Sequence, residues 1–542
     1  MRIGIGQINP TVGDIPGNTA VIVRLIDEAR AAGCELVVFP ELAVPGYSPL
    51  DLLWQPDFVP ACESAVNTIC KASHGIGVLV GSVTAQPSRD PTNHDNVSSV
   101  SDGGGTALYD CAYLLENQSV IARVDKLHLP TYDVDSERRY YTPGAGAEVH
   151  RFRDLRMGIN ICEDIWIDDG PTDVQASLGA EWIVNLSASP FYRGKPEIRR
   201  QLVARRASEN GIPVLYANLV GGQDGIIFDG GSFAVDREGQ VRFRAPAFED
   251  GLFLFDTTLV AADVACSGDD LSQVRQAIVL GIRDYLRKNG FTSVIVALSG
   301  GIDSALVTAL AVDAVGANAV TTVYMPSIHS SPESGEDASA CAAALGVEHM
   351  DISIDAVYAA LQAAMPTAPE GIVDENLQPR VRGTVLMALA NQRNALALCP
   401  ANKSEAAVGY NTLYGDTVGA IAPIVDLYKA DVYAMARMYS DRIPERILTK
   451  PPSAELRPDQ TDQDDLPSYD VLDPIVREAV ENHRTYQQLV KMGYDKATVR
   501  DVLDRIRRSE YKRAQLPPGI KVTPKAFGIG RRMPITNRFR SE

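Results

Sequence analysis

Apolar residues in the first half of the chain alternate between two periods. Short runs with strand character, Ile3–Ile8, Glu35–Phe39 and Gly77–Val83, are separated by longer stretches with helical spacing. Those stretches are Asn18–Ala32, ending at Gly33, and Phe58–Ser73. Tyr109–Leu115 and Val120–Arg123 follow with only a polar turn between them, which predicts two adjacent strands. Met157–Ile161, Trp182–Leu186 and Pro213–Asn218 predict further strands, and Thr172–Leu178 and Pro196–Asn210 predict helices. Adjacent strands mixed with β-α alternation imply a layered α/β domain and leave the pairing order open.

The pattern changes after residue 262. Asp263–Asp270 is small, polar and acidic, and it reads as a linker between a domain over 1–262 and one over 271–542. A helix, Leu271–Asn289, leads into the apolar run Val294–Leu298, a glycine-rich turn and a second helix over Ala305–Ala311. Thr321–Met325 and His349–Ile352 predict strands, and Glu336–Leu345 and Ala356–Ala364 helices. Such regular alternation predicts a doubly wound parallel sheet with its ligand at the strand C-termini. Pro444–Tyr469 is rich in Pro, Asp and Gln without a clear period, and predicts a long ordered loop or lid. The tail Arg505–Arg540 is basic.

Composition narrows the function classes. At 542 residues the chain exceeds one ordinary core, and 45% hydrophobic with 22% charged residues is globular. A net charge of −18 with no Lys/Arg block argues against nucleic acid or an anionic membrane as partner. No apolar run is long enough to span a bilayer, and the chain opens directly on a strand pattern, so a cytoplasmic location is expected. The eight cysteines form no CxxC pair and the seven histidines no HExxH, which predicts reduced thiols and no structural zinc.

Candidate chemistry lies first in Ser299-Gly300-Gly301-Ile302-Asp303-Ser304, after Val294-Ile295-Val296-Ala297-Leu298. A strand, a tight Gly-Gly turn and a helix N-terminus aim backbone N–H groups at one point, which suits a phosphate. No Gly-Lys-Ser/Thr closes the loop, so it is not a Walker A loop. Asp303 repels a bare phosphate but can hold Mg²⁺ against phosphate oxygens. The loop resembles the pyrophosphate loop of the N-type ATP pyrophosphatases, which adenylate a substrate and release pyrophosphate.

A second set lies in the first half. Cys162 ends the strand Met157–Ile161, Glu41 follows Val38-Phe39-Pro40, and Lys126 sits in Val124-Asp125-Lys126-Leu127-His128. A carboxylate can take a thiol proton, and a lysine can lower the thiol pKa and stabilise an oxyanion. With these three motifs the first ~260 residues resemble the nitrilase, or carbon–nitrogen hydrolase, superfamily. The resemblance implies an αββα sandwich with Glu41 as general base, Lys126 as oxyanion stabiliser and Cys162 as nucleophile. Glu137, in Asp135-Ser136-Glu137-Arg138-Arg139-Tyr140, matches an additional glutamate of some members. Asn185-Leu186-Ser187-Ala188-Ser189-Pro190-Phe191 is a further match.

An amide-cleaving half in front of an adenylating half resembles the glutamine-dependent NAD⁺ synthetases over essentially the whole chain. Supporting runs are Asp374-Glu375-Asn376-Leu377-Gln378, Asn402-Lys403-Ser404-Glu405, Gly409–Asp416, Pro452–Asp465 and Glu510-Tyr511-Lys512-Arg513. The resemblance implies that Tyr132, Ser189 and Lys195 hold glutamine. It assigns ATP to Ala297, Leu298, Ser299, Gly300, Gly301, Ile302, Asp303 and Ser304, with Pro400, Lys429 and Ser453 near the nucleotide. Asp303 and Glu405 are the implied Mg²⁺ ligands, and Asn376, Glu405 and Lys512 the implied contacts to deamido-NAD. Glutamine, ATP and deamido-NAD are then substrates, Mg²⁺ the cofactor, no redox cofactor is expected, and assembly into a homo-oligomer is implied. A closed passage for ammonia between two such sites limits its loss to water. Rival readings are an amidoligase for another carboxylate, a nucleotide sensor made from a decayed synthetase, and a free-standing amidase.

Two residues depart from the pattern. Pro400 stands where the family has a threonine that contacts ATP, and loss of one such hydrogen bond costs about 0.5–1.5 kcal/mol. Pro379 stands where alanine is usual, and it suits a helix that starts there and runs through Arg382–Ala390. If it lies inside a helix instead, the contact expected of Asn376 is less secure.

Overall fold

The computed structural model describes residues 1–87, 106–258, 270–457 and 460–540. The chain divides into two compact units, Met1–Asp270 and Leu271–Glu542. Of the linker read at 263–270, only Asp270 is among the described residues, and it opens the helix Asp270–Lys288.

In the first unit β1 (Arg2–Gln7), β2 (Leu36–Val38) and β3 (Gly77–Pro87) run parallel. β4 (Thr106–Glu116) and β5 (Ser119–Asp125) extend that sheet as antiparallel neighbours. A second sheet contains β6 (Val149–Phe152), β7 (Leu155–Ile161), β8 (Trp182–Ser187) and β9 (Val214–Asn218), the last three of them parallel. After a separate hairpin of β10 (Val220–Gln223) and β11 (Ile226–Asp229), β12 (Phe233–Val235) and β13 (Val241–Arg244) complete its far edge. β14 (Gly251–Asp256) returns to pair antiparallel with β1. The strand orders are β14-β1-β2-β3-β4-β5 and β13-β12-β9-β8-β7-β6.

Strand alternation sorts the side chains into layers. Ile3, Ile5, Leu36 and Val38 of one sheet meet Ile159, Ile161, Val184 and Leu186 of the other in a shared core. On the outer face of the first sheet, Val37 and Val78 pack with Ile22, Leu25 and Ile26 of the helix Ile15–Ala31 and Cys62 and Ile69 of the helix Phe58–Ala72. On the outer face of the second, Ile183 and Val214 pack with Val203 and Ala207 of the helix Lys195–Asn210. The result is the αββα sandwich.

The second unit holds a parallel sheet of β15 (Val294–Ala297), β16 (Val320–Tyr324), β17 (Glu348–Asp351) and β18 (Leu396–Leu398). Its order, β17-β16-β15-β18, reverses direction between β15 and β18. A reversal of this kind opens a crevice outside the strand C-termini, where doubly wound folds bind ligands. The helix after the glycine turn is Ile302–Val315, which starts before the Ala305 read from the sequence, so Asp303 and Ser304 lie in its first turn.

Of the two placements open to Pro379, the structure has the helix interior. One helix spans Ile372–Arg393 with Pro379 in its interior. The proline removes the N–H that bonds the Glu375 carbonyl, yet packing on both sides carries the helix through. Tyr358 and Gln362 both donate to the Asp374 carboxylate, at 2.6 and 2.8 Å, and Val381, Leu386 and Ala390 are buried under the sheet. The segment 444–469 has more structure than a loop reading predicts, with a short helix, Glu445–Thr449, and a single turn, Asp462–Asp464.

Candidate active sites

Glu41 and Cys162 sit just past the C-terminal ends of the parallel strands β2 and β7, and Lys126 directly follows β5. The Glu41 segment crosses β3 at Gly81, where a Cβ would stand 2.5 Å from the Pro40 carbonyl oxygen and 2.7 Å from the Glu41 Cα. Only glycine admits that approach. The Lys126 ammonium is fully buried and donates to Glu41 Oε1 at 2.6 Å and to Glu137 Oε1 at 2.8 Å. Asp110 Oδ2 lies 3.6 Å from the same nitrogen. The other Glu41 oxygen accepts the Ala188 N–H at 2.6 Å, and Tyr47 donates to Asp135 at 2.6 Å and to Glu137 at 3.1 Å. Glu41, Asp110 and Glu137 are close enough together to hold a metal ion, but Lys126 already supplies their cation.

Burial governs the protonation of this cluster. It pulls the Lys126 ammonium down, but Glu137 and Glu41 more than reverse that, so the lysine stays charged. It lifts Glu137 to about 8, with Lys126 opposing and Glu41 and Asp135 adding. Asp110 is also held well above the usual carboxylate range, by burial and by the neighbouring Glu41. The Cys162 thiol rises well above its ordinary value through burial and Glu41, and the opposing pull of Lys126 does not reverse it. Lys126 does lower the thiol pKa, as expected, but burial and Glu41 outweigh it and the net shift is upward.

Sequence reasoning passed over two acids here. Asp110 on β4 joins the carboxyl cluster across the sheet, with no local motif to announce it. Asp164 is buried and its carboxylate ties two loops together. It accepts the N–H of Ile161 at 3.1 Å, of Leu127 at 3.2 Å and of His128 at 2.8 Å. It also bonds His128 Nδ1 at 3.1 Å. Cys162 opens the turn Cys162–Ile165 with φ of 44°, a left-handed conformation that a non-glycine residue holds only under constraint. Asp164 joins that turn to the Lys126 loop. A signal was present in the Cys-Glu-Asp run, an acid two residues after the thiol.

Of the residues expected to hold glutamine, Tyr132 is exposed and donates to Glu163 at 2.8 Å. The Lys195 ammonium stands over the Trp166 ring, 3.9 Å from its centroid. Ser189 is buried, its N–H donating to Asn218 and its carbonyl accepting from Arg199.

In the second unit the Ser299–Ser304 loop closes on itself. Ser304 Oγ accepts the Ser299 N–H at 3.1 Å, and Ser299 Oγ accepts the Gly301 N–H at 3.2 Å. Gly300 has φ of 81°, and a Cβ there would lie 2.4 Å from the Ser334 carbonyl oxygen. Asp303 faces residues that follow β18. Asn402 donates to its Oδ1 at 3.0 Å and, with its own carbonyl oxygen, caps the helix Lys403–Val408 through the Glu405 N–H, also at 3.0 Å. Asn402 is thus a positioning residue read before only as part of a motif. Pro400, next to β18, leaves no N–H at its position.

Lys429 is buried and links the two expected metal ligands. Its ammonium donates to Asp303 Oδ2 at 2.6 Å and to Glu405 Oε1 at 3.0 Å. Burial lowers its proton affinity, but the two carboxylates more than restore it, so it stays charged. Burial pushes Glu405 up to about 8, against the pull of Lys429 and with Asp303 and Asp462 adding. Two hard carboxylate oxygens directed at one cation position fit Mg²⁺.

Two of the residues assigned to deamido-NAD, Asn376 and Lys512, meet on one loop, whereas the Glu405 side chain bonds Lys429. Lys512 donates to the carbonyls of Gly409 and Asn411, at 2.7 and 2.6 Å, and Thr412 donates to Asn376 at 2.6 Å. Asn376 is half-buried here despite Pro379 in its helix. Ser453 donates to the Gln460 carbonyl at 2.6 Å and accepts the Glu455 N–H at 3.1 Å, bracing its own loop.

Residues 2–265 match the carbon–nitrogen hydrolase family and residues 274–516 the NAD synthase family. A glutamine-dependent NAD(+) synthetase of Synechocystis is 40% identical over 99% of both chains. One of Thermotoga maritima is 37% identical over 100% of this chain and 99% of its own. The solved glutamine-dependent NAD⁺ synthetase of Acinetobacter baumannii, in complex with ADP, is 33% identical and superposes with a TM-score of 0.77 over 99% of this chain and 98% of that one.

Proposed function

The chain belongs to the glutamine-dependent NAD(+) synthetases, and from that membership we propose how its own residues divide the reaction. The first unit releases ammonia from glutamine, and the second uses it to amidate deamido-NAD at the expense of ATP. The observation that carries the reading is the pairing of a buried Glu41–Lys126 set beside Cys162 with an Asp303–Lys429–Glu405 set beside a phosphate-cradling turn.

Burial and Glu41 hold the thiol pKa up, so Cys162 needs a base beside it to react. Cys162 Sγ bonds to the side-chain carbonyl carbon of glutamine while its proton passes to Glu41. The oxygen gains negative charge and Lys126 stabilises it. Glu41 returns the proton to the departing nitrogen, and ammonia leaves a thioester on Cys162. Water then attacks the thioester with Glu41 as base, and glutamate and the free thiol result. Glu137, bonded to Lys126, holds the lysine in place, and Glu41 is the proton acceptor of this cluster. Tyr132, Ser189 and Lys195 line the approach of the glutamine.

In the second unit the carboxylate of deamido-NAD attacks the α-phosphorus of ATP and pyrophosphate departs. Ammonia, attacking as the neutral molecule, then displaces AMP from the acyl-adenylate and gives NAD⁺. The turn 297–304 cradles phosphates, and Asn376, Glu405 and Lys512 orient the dinucleotide. Asp303 and Glu405 would hold Mg²⁺, which neutralises phosphate charge when bound. Seven described cysteines are free thiols, which supports a reducing compartment, and no described helix is long and apolar enough to cross a membrane.

The deciding experiment supplies glutamine or ammonium with ATP, Mg²⁺ and deamido-NAD, and follows NAD⁺ and AMP. NAD⁺ and AMP are expected in equal amounts from either nitrogen source. No NAD⁺ from either would overturn the reading.

A further inference from the structure

Asp303 and Glu405 converge on a position that an amino group of this chain already fills. Lys429 Nζ stands 2.6 Å from one carboxylate and 3.0 Å from the other, with the ring of Tyr469 centred 5.3 Å away. The nitrogen is buried, so these carboxylates are its compensation for lost water. A magnesium ion bonds carboxylate oxygens at about 2.0–2.1 Å. It and the ammonium cannot share this position without strong repulsion between neighbouring cations.

We infer that Lys429 is a resident counter-cation that keeps the metal position closed to free divalent ions and yields it only to a metal–nucleotide complex. This inference rests on the Mg·ATP reading of the second unit. A free Mg²⁺ ion that displaces the ammonium leaves it buried beside a divalent cation, and Asp462, a further carboxylate acting on it, already accepts the Tyr469 hydroxyl. A Mg²⁺ ion that arrives on a triphosphate brings anionic oxygens to which the same ammonium can turn. Lys429 starts the helix Lys429–Arg437, and its backbone N–H is held by Ser404 Oγ at 2.9 Å. The side chain can therefore swing while its base stays fixed. Asn402 keeps Asp303 in place through the exchange, because its bond goes to Oδ1 and not to the oxygen that Lys429 holds. The consequence is strong positive coupling between metal and nucleotide, by the same factor in both directions.

The test uses the full chain, Mn²⁺ as an EPR-visible probe and α,β-methylene ATP, which cannot be cleaved at the reacting bond. Wild type is expected to bind Mn²⁺ at this position at least tenfold more tightly with the analogue than without it. Lys429→Met is expected to gain nucleotide-free Mn²⁺ binding of at least tenfold. Asp303→Asn in the Lys429→Met background is expected to remove the gained site, which separates it from weak binding to the acidic surface. Circular dichroism checks folding, and Lys429→Gln serves if the methionine variant does not fold. Equal Mn²⁺ affinity of wild type with and without the analogue overturns the inference. So does a folded Lys429 variant with no gain. Absence of Mn²⁺ binding in wild type even with the analogue overturns the Mg·ATP reading itself.

Discussion

Lys126 and Lys429 are buried ammonium groups, each shared between carboxylates drawn from distant parts of the chain. In the first unit the clustered acids also raise one another's proton affinity. Glu137, held at about 8, binds a proton that its unfolded counterpart releases near its ordinary value of 4.5. Between about pH 5 and 8 the unfolded chain therefore binds fewer protons, and stability falls as pH rises through that window. Glu137→Gln is expected to flatten part of this fall and to resist denaturant better than wild type above pH 8; identical pH slopes would place an ionised Glu137 in the fold. Cys162→Ala is expected to abolish glutamine-driven NAD⁺ formation and to keep the ammonia-driven rate within about twofold, with circular dichroism as the folding check. Asp164→Asn loses part of its acceptor capacity for three backbone donors, each costing about 1–3 kcal/mol if left unpaired. Its glutamine turnover is expected to drop at least tenfold while ammonia-driven synthesis persists. The functional acids and the cysteine were legible from motifs. Asp110 was not, because its role comes from a position across β4 and β5 and from burial.

Among the elements, the phosphate-cradling turn depends most closely on its residue type. Gly300 needs both a left-handed backbone and a bare Cα, since a Cβ would press on the Ser334 carbonyl. Gly300→Ala is expected to lower ATP–pyrophosphate exchange at least tenfold and to leave hydrolysis of glutamine at the first site unchanged. Both activities measured on the same preparation decide it. Strand–turn–helix order around this loop was readable because hydrophobic period and Gly-Gly punctuation are local signals. The short strands β10 to β13 were not, since three or four residues carry too little periodicity. Pro379 shows the opposite limit: a residue that argues locally for a helix start lies in a helix interior because buried contacts on both sides outweigh one missing hydrogen bond.

For the molecule as a whole, a chain of net charge −18 keeps Lys126 and Lys429 buried among carboxylates, and the anionic nucleotides proposed for the second unit would meet Lys429 and a metal position there. Two reactions on one chain also create a test of transfer. The rate with added ammonium is expected to rise with pH in proportion to the neutral NH₃ fraction, and a glutamine-driven rate without that dependence would mark direct transfer of ammonia. Coincident pH profiles for the two nitrogen donors would show that ammonia equilibrates with the medium first. The sequence by itself determined the two α/β units, the strand ends and turns that present Glu41, Cys162 and the Ser299–Ser304 loop, and the family. Those signals act between neighbours along the chain, as hydrophobic period, turn chemistry and motif. Only the tertiary structure decided that burial raises the Cys162 thiol and the Glu137 carboxyl, that Asp164 joins the Cys162 turn to the Lys126 loop and that Lys429 stands between Asp303 and Glu405. Each of these depends on burial and on distances between residues far apart in sequence, where desolvation and Coulomb forces set the outcome.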